Sequence, residues 1–390
     1  MPRILILHAA VGSGHTTAAN ALADALRQKK QGEVRVDDIL DYGSQLFRES
    51  MIRSYLQVSG RAPLLWKMLY QSSDIANPDA AAAANSLRAR FDRLPVRRLE
   101  RFVSTFEPDA IVCTHMFPLT VLQRLKRQGA LRQPLYCVIT DYMVHSMWIN
   151  DIVDGYFLAS EPTRYAMLMR GVPPSILHVT GIPVKGELAE PKSSDAMRAR
   201  RGLPAEGPIV TLFGGGLEPR RARIVVQRLL ESDTPGLLIV VAGRSAEIAT
   251  AVADLQDGPS MRLLKLGRID YVDDLVAASD LVITKSGGLI VSEILARGTP
   301  MVVFDPIPGQ EEWNADFVAG SGAGLQLRQA ESVPLTVRAL LAAPERLALM
   351  RQHAARVGRP RAAQDIADRI FAELRTGEYG SGGAAARRAR

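Results

Sequence analysis

Asp280-Leu-Val-Ile-Thr-Lys-Ser-Gly-Gly-Leu-Ile-Val-Ser-Glu293 is the stretch of this sequence from which its fold can be worked out. The apolar run Leu281–Thr284 predicts a buried strand, the glycines at 287 and 288 predict a tight turn, and the residues after them predict a helix. A strand that enters a helix through such a turn is typical of parallel α/β sheets. The backbone N–H groups of Ser286–Gly288 could hold phosphate oxygens at the start of that helix.

The same alternation of short apolar strands and helical patterns extends in both directions and forms two blocks. In the first block, strands are predicted at Arg3–His8, Glu33–Asp37, Asp109–Cys113, Leu135–Thr140, Gly155–Ala159 and Leu177–Thr180. In the second block, they are predicted at Ile209–Phe213, Leu237–Ala242, Met261–Leu266, Leu281–Thr284, Met301–Phe304 and Gly324–Leu327. Helices are predicted at Thr16–Lys29, Pro334–Leu341, Glu345–Arg356 and Ala362–Arg375.

The two blocks predict two domains, which agrees with a length of 390 residues at roughly 100–200 residues per domain. A segment rich in linker residues separates the blocks, and the last residues lack the apolar material for a core. We therefore expect an N-terminal domain, a linker, a C-terminal domain, a final helix and a disordered basic tail, at residues 1–180, 181–205, 206–361, 362–375 and 376–390.

The composition is that of a folded chain, with 47% hydrophobic and 23% charged residues. Cys113 and Cys137 lie in apolar runs, which predicts buried, reduced thiols and an intracellular location. The first apolar run ends at His8 and has no small-residue cleavage site, so it predicts a strand rather than a signal peptide. Any membrane contact is expected to be peripheral, because no stretch approaches the ~20 apolar residues that cross a bilayer.

The net charge of +7 is unevenly distributed, since ten basic and five acidic residues lie between Gln45 and Arg101. Apolar and aromatic side chains alternate with the basic ones there, among them Arg53, Arg61, Trp66, Lys67 and Tyr70. This mixture is typical of a surface helix lying on anionic lipid headgroups. Helices packed on a sheet with a solvated basic face would give the same pattern, and a nucleic-acid surface is a weaker third alternative.

A second glycine turn, Gly12-Ser13-Gly14-His15, follows the first predicted strand and opens the first helix. An imidazole at the carboxyl end of a central strand lies where α/β folds bind ligands, and it could take a proton from a substrate hydroxyl. His15 could instead cap the turn. The motif is neither a Walker A loop nor a complete G-x-G-x-x-G, because Thr17 occupies the third position.

The second block contains two further candidate segments. Gly214–Gly216 follows a strand and suits either a diphosphate or a closely packed helix. Gln310-Glu311-Glu312-Trp-Asn314 begins a predicted helix, and its amides and carboxylates are the mixture that a sugar with several hydroxyls requires. The carboxylates could equally be first-turn residues that favour the helix dipole. Glu293 lies in the early turns of the helix predicted after Gly288, where a carboxylate could bridge two neighbouring ribose hydroxyls.

Three motifs are absent from the sequence: Asp-x-Asp, a His/Cys cluster with metal-ligand spacing, and a Gly-x-Ser-x-Gly elbow. These motifs mark common forms of metal-assisted and serine chemistry. Neither chemistry is therefore indicated by the sequence.

The candidate segments together resemble the diacylglycerol glycosyltransferases of glycosyltransferase family 28, which include monogalactosyldiacylglycerol synthases and processive glucosyltransferases. The N-terminal motifs are Gly12-Ser-Gly-His15, Thr140-Asp-Tyr142, His145, Trp148, Val153-Asp-Gly-Tyr-Phe157 and Val179-Thr-Gly-Ile-Pro183. The C-terminal motifs are Phe213-Gly-Gly-Gly216, Leu266-Gly-Arg-Ile269, Asp273-Asp-Leu275, Thr284-Lys-Ser-Gly-Gly288, Glu293, Pro308-Gly-Gln-Glu311 and Asn314. The C-terminal set is specific to family 28, and the N-terminal set favours a lipid acceptor.

The resemblance implies an α/β fold of the GT-B type, with two Rossmann-like domains facing a cleft. The C-terminal domain would hold the nucleotide sugar and the N-terminal domain the acceptor, while the last helix would return to the N-terminal domain. His15 would be the general base. Acceptor-side residues would be Gly12, Ser13, Gly14, His115, Asp141 and His145.

Donor-side roles also follow from the resemblance. The backbone of Ile269 would meet the uracil, Glu293 the ribose hydroxyls, and Gln310 with Glu311 the hexose. The diphosphate would lie against Gly215, Gly216, Ser286, Gly287 and Gly288. The remaining donor-side residues would be Gly214, Arg244, Leu289 and Asn314.

The segment Lys285-Ser286-Gly287-Gly288 departs from the family pattern. Many lipid-glycosylating relatives have Lys-Pro-Gly-Gly or Lys-Ala-Gly-Pro there, whereas the enzyme that adds N-acetylglucosamine to lipid I has Ser-Gly. The identity of the donor sugar is therefore open.

The sequence predicts an inverting, metal-independent transferase that moves glucose or galactose from a UDP-sugar to diacylglycerol or a glycolipid. It would act as a peripheral protein at the cytoplasmic face of the cell membrane, on an anionic surface, without a cofactor and without nucleic acid. The alternatives are a UDP-N-acetylglucosamine-dependent transferase to another lipid, a UDP-sugar epimerase of the same fold, and a non-catalytic membrane-binding protein.

Overall fold

The computed structural model describes residues 1–44, 48–49, 68, 72–74 and 96–377. The chain divides into two compact units. The first unit comprises Met1–Gly186, Ile307–Gln310 and the chain from Arg361 onward, and the second comprises Glu187–Pro306 and Glu311–Pro360.

The first unit contains a six-stranded parallel sheet. Its strands are β1 (Arg3–His8), β2 (Glu33–Asp38), β3 (Ala110–Cys113), β4 (Leu135–Val138), β5 (Gly155–Leu158) and β6 (Leu177–Val179). Their spatial order is β2-β1-β3-β4-β5-β6. Ile4 lies opposite Val34 on one side and Ala110 on the other. The direction of the strand order therefore changes between β1 and β3.

The second unit contains another six-stranded parallel sheet. Its strands are β7 (Ile209–Phe213), β8 (Gly236–Val241), β9 (Met261–Leu266), β10 (Leu281–Thr284), β11 (Met301–Phe304) and β12 (Gly324–Leu327). The spatial order is β12-β11-β10-β7-β8-β9. Here the direction changes between β7 and β10, as in doubly wound nucleotide-binding folds.

Thirteen α-helices occur in the described parts of the chain. They are α1 (Ser13–Gln28), α2 (Val96–Phe106), α3 (Met116–Arg127), α4 (Glu161–Met169), α5 (Ser194–Arg200), α6 (Pro219–Leu230), α7 (Ala246–Ala251), α8 (Val272–Ala278), α9 (Gly288–Ala296), α10 (Gln310–Gly320), α11 (Ser332–Leu341), α12 (Pro344–Val357) and α13 (Ala362–Thr376). Short 3-10 helices span Ile39–Tyr42, Ser146–Trp148, Pro174–Ile176 and Gly186–Ala189.

Both faces of the first sheet are buried, and this explains why β1 is an unbroken apolar run. Successive side chains of a strand point to opposite faces, so Ile4 and Ile6 lie in one cluster while Leu5 and Leu7 lie in another. The first cluster also contains the apolar stripe of α13, formed by Ala363, Ile366, Ala367, Ile370 and Phe371.

Polar contacts also hold α13 on the first unit. The hydroxyl of Tyr136 in β4 donates to Oε2 of Glu373 over 2.8 Å, and both groups are buried. Lys29, just after α1, pairs with Asp368 at 2.5 Å. The C-terminal helix therefore packs on the sheet that begins the chain.

The predicted α/β class with two Rossmann-like domains is confirmed. All twelve predicted strands are present, with ends that differ by at most two residues. The start of the first helix was placed wrongly: it begins at Ser13 rather than Thr16. Gly12 precedes this helix with a φ of 157°, a backbone conformation that side chains rarely allow, so the turn is complete three residues earlier than the apolar pattern indicated.

Cys113 and Cys137 are free thiols and are fully buried. They lie opposite each other in the neighbouring strands β3 and β4. Among the helices described here, none is long and apolar enough to span a membrane. Two predictions fall outside the described residues. One is the basic tail, apart from Thr376 and Gly377, and the other is the set of membrane residues Arg53, Arg61, Trp66, Lys67 and Tyr70.

Candidate active site

In the first unit, candidate residues gather at the carboxyl edge of the sheet, where open α/β sheets bind ligands. Gly12–His15 follow β1, Thr114 and His115 follow β3, and Thr140 follows β4. The rings of His15 and His115 meet edge to face with their centroids 4.5 Å apart. Trp148 lies beside both, at 6.3 and 6.2 Å. We call His15, His115 and Trp148 the ring cluster.

His15 is held through its Nδ1 atom. This nitrogen lies 3.0 Å from the carbonyl oxygen of Thr114 and 2.8 Å from the hydroxyl of Thr140. A carbonyl can only accept, so Nδ1 carries the proton in this arrangement and the neutral ring presents an unprotonated Nε2. The hydroxyl of Thr114 donates in return to the carbonyl oxygen of His15. These contacts give His15 the tautomer that a general base requires.

The ring cluster disfavours positive charge. Burial lowers the pKa of His15 to about 4, although its hydrogen bond to the Thr114 backbone acts in the opposite direction. Burial also lowers the pKa of His115 well below its ordinary value, with His15 and His8 adding to the effect. His15 is therefore neutral at physiological pH.

Two of the predicted acceptor-side histidines cap helices. Nδ1 of His115 accepts from the backbone N–H of Phe117 at the start of α3. Nδ1 of His145 accepts from the N–H of Met147 in the 3-10 helix. His115 and His145 are therefore capping residues, whereas the N-cap position of α1 is Gly12, with no side-chain cap hydrogen bond. Asp141 lies in the bend between Thr140 and His145.

In the second unit, the glycine turn Gly214–Gly216 follows β7, beside the loop that follows β10. Gly214 is buried, and a Cβ there would lie 2.7 Å from Cγ2 of Ile248. Gly216 has a φ of 80°, and a Cβ there would lie 2.7 Å from Nζ of Lys285. Gly215 is exposed, with open space where its side chain would be. Gly215 is therefore the position in this turn where a side chain could be added without a clash.

Hydrogen bonds tie the loop after β10 to the first turn of α10. The Ser286 hydroxyl, fully buried, donates to the carbonyl oxygen of Glu311 over 2.7 Å. The side-chain amide of Asn314 donates to the carbonyl oxygen of Ser286 over 3.0 Å. Lys285 Nζ pairs with Oε1 of Glu311 at 2.9 Å. The Ser286 hydroxyl and the Asn314 amide thus position the loop before α9, a helix whose N-cap residue, Gly287, makes no side-chain cap hydrogen bond.

The other predicted donor-side residues lie on the same edge of the second sheet or on α9 and α10. Arg244 is exposed after β8, and Ile269 is half-buried after β9. Leu289 and Glu293 lie on α9, and Gln310 is the first residue of α10. Oε1 of Gln310 is buried and has no hydrogen-bond partner among the described residues. This oxygen could accept a hydrogen bond from a ligand hydroxyl.

The sequence reasoning did not identify Thr114, Thr140, Lys285 or Asp305 as site residues. Thr114 and Thr140 follow buried strands, which is the signal that could have found them. Asp305 has a φ of 56° after β11, and its carboxylate accepts from Arg221 and from the backbone N–H of Glu218. It thereby joins the loop after β11 to the segment that follows the glycine turn.

Two family models match this chain. The monogalactosyldiacylglycerol synthase model matches residues 15–184, and the glycosyltransferase family 28 C-terminal domain matches residues 238–370. A processive diacylglycerol beta-glucosyltransferase of Bacillus cereus (strain AH187) is 29% identical over 375 residues, which is 95% of this chain and 94% of that relative.

Solved structures share the fold at low sequence identity. MurG of Acinetobacter baumannii has a TM-score of 0.63 at 17% identity, covering 95% of this chain and 99% of its own. UDP-GlcNAc 2-epimerase of Neisseria meningitidis, bound to UDP-GlcNAc, has a TM-score of 0.58 at 12% identity, covering 95% and 99%. The fold alone therefore does not distinguish a transferase from an epimerase.

The two parallel sheets, each with a glycine turn at its carboxyl edge, give the chain the GT-B fold. Residues 15–184 are of the monogalactosyldiacylglycerol synthase type, and residues 238–370 are of the glycosyltransferase family 28 C-terminal type.

Proposed function

We propose that this enzyme transfers a hexose, glucose or galactose, from a UDP-sugar to diacylglycerol or a glycolipid, with inversion at the anomeric carbon. The observation that carries the proposal is His15, whose Nδ1 is engaged by Thr114 so that Nε2 can act as a base. This histidine begins the segment that matches the monogalactosyldiacylglycerol synthase model. The similarity to a processive diacylglycerol beta-glucosyltransferase over nearly the whole chain supports a lipid acceptor.

On the acceptor side, Nε2 of His15 takes the proton of the acceptor hydroxyl as its oxygen attacks the anomeric carbon. The imidazolium that forms donates from Nδ1 to the carbonyl oxygen of Thr114, which stabilises the charge as it develops. Gly12, which precedes α1, and Ser13 and Gly14, its first two residues, place His15, and His115, Asp141 and His145 shape the acceptor side.

On the donor side, the bond between the anomeric carbon and the diphosphate breaks, and its electron pair leaves with UDP. We propose that backbone N–H groups stabilise the diphosphate, and that they come from Gly215, Gly216, Ser286, Gly287 and Gly288, with Leu289 beside them in the first turn of α9. Because the helix N-terminus carries positive potential, this stabilisation requires no metal ion.

Recognition of the nucleoside and sugar is assigned residue by residue. The backbone of Ile269 meets the uracil, Glu293 the ribose hydroxyls, and Gln310 with Glu311 the hexose. Arg244 contributes positive charge on this side. Gly214, Ser286, Gly287 and Asn314 hold the loops in place.

We further propose that the enzyme works as a peripheral protein on the cytoplasmic face of the cell membrane. Residues 1–180 and the helix at 362–375 would serve the acceptor, and residues 206–361 the donor, with 181–205 as the linker. Arg53, Arg61, Trp66, Lys67 and Tyr70 would contact anionic headgroups.

The deciding experiment incubates the enzyme with membranes and UDP-glucose, UDP-galactose or UDP-N-acetylglucosamine, and identifies the glycolipids by mass and linkage. The proposal expects a hexosyl glycolipid from UDP-glucose or UDP-galactose. Product from UDP-N-acetylglucosamine alone would identify the rival transferase, and an epimerised UDP-sugar without glycolipid would identify the rival epimerase.

A further inference from the structure

Ser73 and Asp74 contact residues far along the chain in the first unit. Nη1 and Nη2 of Arg170 donate to Oδ1 and Oδ2 of Asp74 over 2.6 and 2.8 Å. The backbone N–H of Ser146 also donates to Oδ1 of Asp74, at 2.8 Å, and its hydroxyl donates to the carbonyl oxygen of Ser73 at 3.1 Å. We call Asp74, Ser146 and Arg170 the loop clamp.

The loop clamp has the geometry of a strong ion pair. Both side chains are largely buried, at 15% exposure for Asp74 and 17% for Arg170, and the contact is bidentate. Burial alone would raise the pKa of Asp74, but the hydrogen bonds from Arg170 and from the Ser146 backbone hold it below its usual range. The pair is thus ionised at neutral pH, and loss of one partner leaves the other buried charge uncompensated.

The clamp holds the start of the 3-10 helix Ser146–Trp148, and a second contact holds the chain just beyond its end. The hydroxyl of Tyr156 accepts from the backbone N–H of Asn150 over 2.8 Å. Between these two points, the side chain of Trp148 is buried against His15 and His115. The orientation of the ring cluster therefore depends on contacts at both ends of this segment.

The same contacts involve His145, one of the predicted acceptor-side residues. Nδ1 of His145 accepts from Met147, so in the neutral ring Nε2 carries the proton, and this nitrogen lies 3.3 Å from the hydroxyl of Ser73. His145 is thus bound to the segment that contains Asp74 as well as to the 3-10 helix. Its contacts are those of a residue that fixes this loop.

We propose that Asp74 and Arg170 are positioning residues for the acceptor side of the active site, because they fix the 3-10 helix that presses Trp148 against His15. The proposal rests on the proposed function, in which His15 is the general base. The contacts described above join Asp74 to Arg170 and to Ser146 rather than to His15. Their effect on transfer is exerted through Ser146 and Trp148.

The test compares Asp74→Ala, Asp74→Asn and a matched control, Asp154→Ala. Asp154 also accepts from a cation, Lys126, and from a backbone N–H, that of Leu135 at 2.9 Å. Its contact with Leu135 lies at the amino end of β4, away from the ring cluster at the carboxyl edge. For each variant, kcat, the KM for acceptor, the UDP dissociation constant, the melting temperature and the NMR titration of His15 are measured.

For Asp74→Ala we expect kcat to fall roughly ten- to a hundredfold, because small displacements of reacting groups have effects of this size. UDP affinity should remain unchanged. The titration of His15 should move to higher pH as water reaches its ring; His8 and His115 are the titratable groups that interact with it. The fall in kcat should be smaller for Asp74→Asn, because its side-chain oxygen can still accept a hydrogen bond from the backbone N–H of Ser146.

The outcomes separate the two proposals. If Asp74→Ala and Asp154→Ala lower the melting temperature and kcat alike while the His15 titration stays unchanged, the clamp is merely structural and the inference is overturned. If the wild-type enzyme makes no glycolipid from any UDP-sugar, the proposed function fails. The His15 titration would still decide whether the clamp positions the ring cluster.

Discussion

At the scale of single residues, His15 is the side chain on which the proposed reaction depends. Replacing it with Gln removes the basic nitrogen, and we expect transfer to fall by about 10²–10⁴-fold, the usual contribution of a general base. His178→Gln is the matched control, because His178 is another partly buried histidine of the same unit and pairs with Glu373 rather than the ring cluster. UDP affinity should be unchanged in both. Full transfer by His15→Gln would remove His15 from the mechanism.

The pH dependence of transfer follows from the environment of His15. Its pKa is lowered by burial to about 4, so the base is already unprotonated throughout the neutral range. We therefore expect kcat/KM to be flat with pH above about 5 and to fall as pH drops through about 4. An acid limb near 6.5, the ordinary pKa of histidine, would show that the base is not held as the structure indicates.

The same shift affects stability. His15 binds a proton near pH 6.5 in the unfolded chain but near pH 4 in the fold, so its contribution is present above pH 6.5 and is lost as pH falls from 6.5 toward 4. The pKa values of His8 and His115 are also lowered by burial and act in the same direction. As pH falls from 6.5 toward 4, the melting temperature of the wild-type enzyme should therefore drop more than that of His15→Gln, which lacks this contribution.

At the scale of elements, two neighbouring glycines of the turn after β7 have different roles. Gly216 is required by the fold, whereas Gly215 is proposed to be required by the ligand. Gly216→Ala forces an unfavourable φ and meets Lys285, so it should lower stability by about 1–3 kcal/mol. Gly215→Ala has room in the fold and should leave the melting temperature unchanged, yet weaken UDP binding if the diphosphate approaches this backbone. Unchanged UDP binding by Gly215→Ala would place the diphosphate elsewhere.

The glycine turn and the N-terminus of α9 together carry the proposed stabilisation of the leaving group. Because backbone N–H groups and a helix dipole supply the positive potential, transfer should persist at full rate after EDTA treatment. The rate with added Mg²⁺ or Mn²⁺ is the comparison. Strict dependence on either ion would contradict the assignment of this role to backbone groups.

Most elements could be predicted from local sequence, whereas the contacts within the site could not. The run Arg3–His8 predicts a strand by itself, because a strand buried on both faces needs apolar residues throughout. The contact between His15 and Thr140 joins residues 125 positions apart and appears only once β1 and β4 are placed. Likewise, the capping role of His115 depends on the backbone N–H of Phe117, which no side-chain pattern reports.

At the scale of the whole molecule, the charge of +7 is concentrated in a stretch that the proposal assigns to the membrane. Attraction between basic side chains and anionic headgroups is screened by salt, with a Debye length of about 10 Å at 0.1 M. We therefore expect the enzyme to sediment with phosphatidylglycerol-containing vesicles at low ionic strength and to be released as salt is raised. Neutral phosphatidylcholine vesicles should retain much less.

The residues responsible can be tested by removing charge from that stretch alone. Replacing Arg53, Arg61 and Lys67 together with Gln should abolish sedimentation and raise the KM for a lipid acceptor presented in vesicles. UDP affinity and the melting temperature should be unchanged, since the assigned donor residues lie elsewhere. An equal number of Gln substitutions at exposed arginines of the second unit, Arg220, Arg228 and Arg262, controls for total charge. If both triple variants lose sedimentation equally, net charge rather than this stretch directs the enzyme to the bilayer, and the proposed membrane face is wrong.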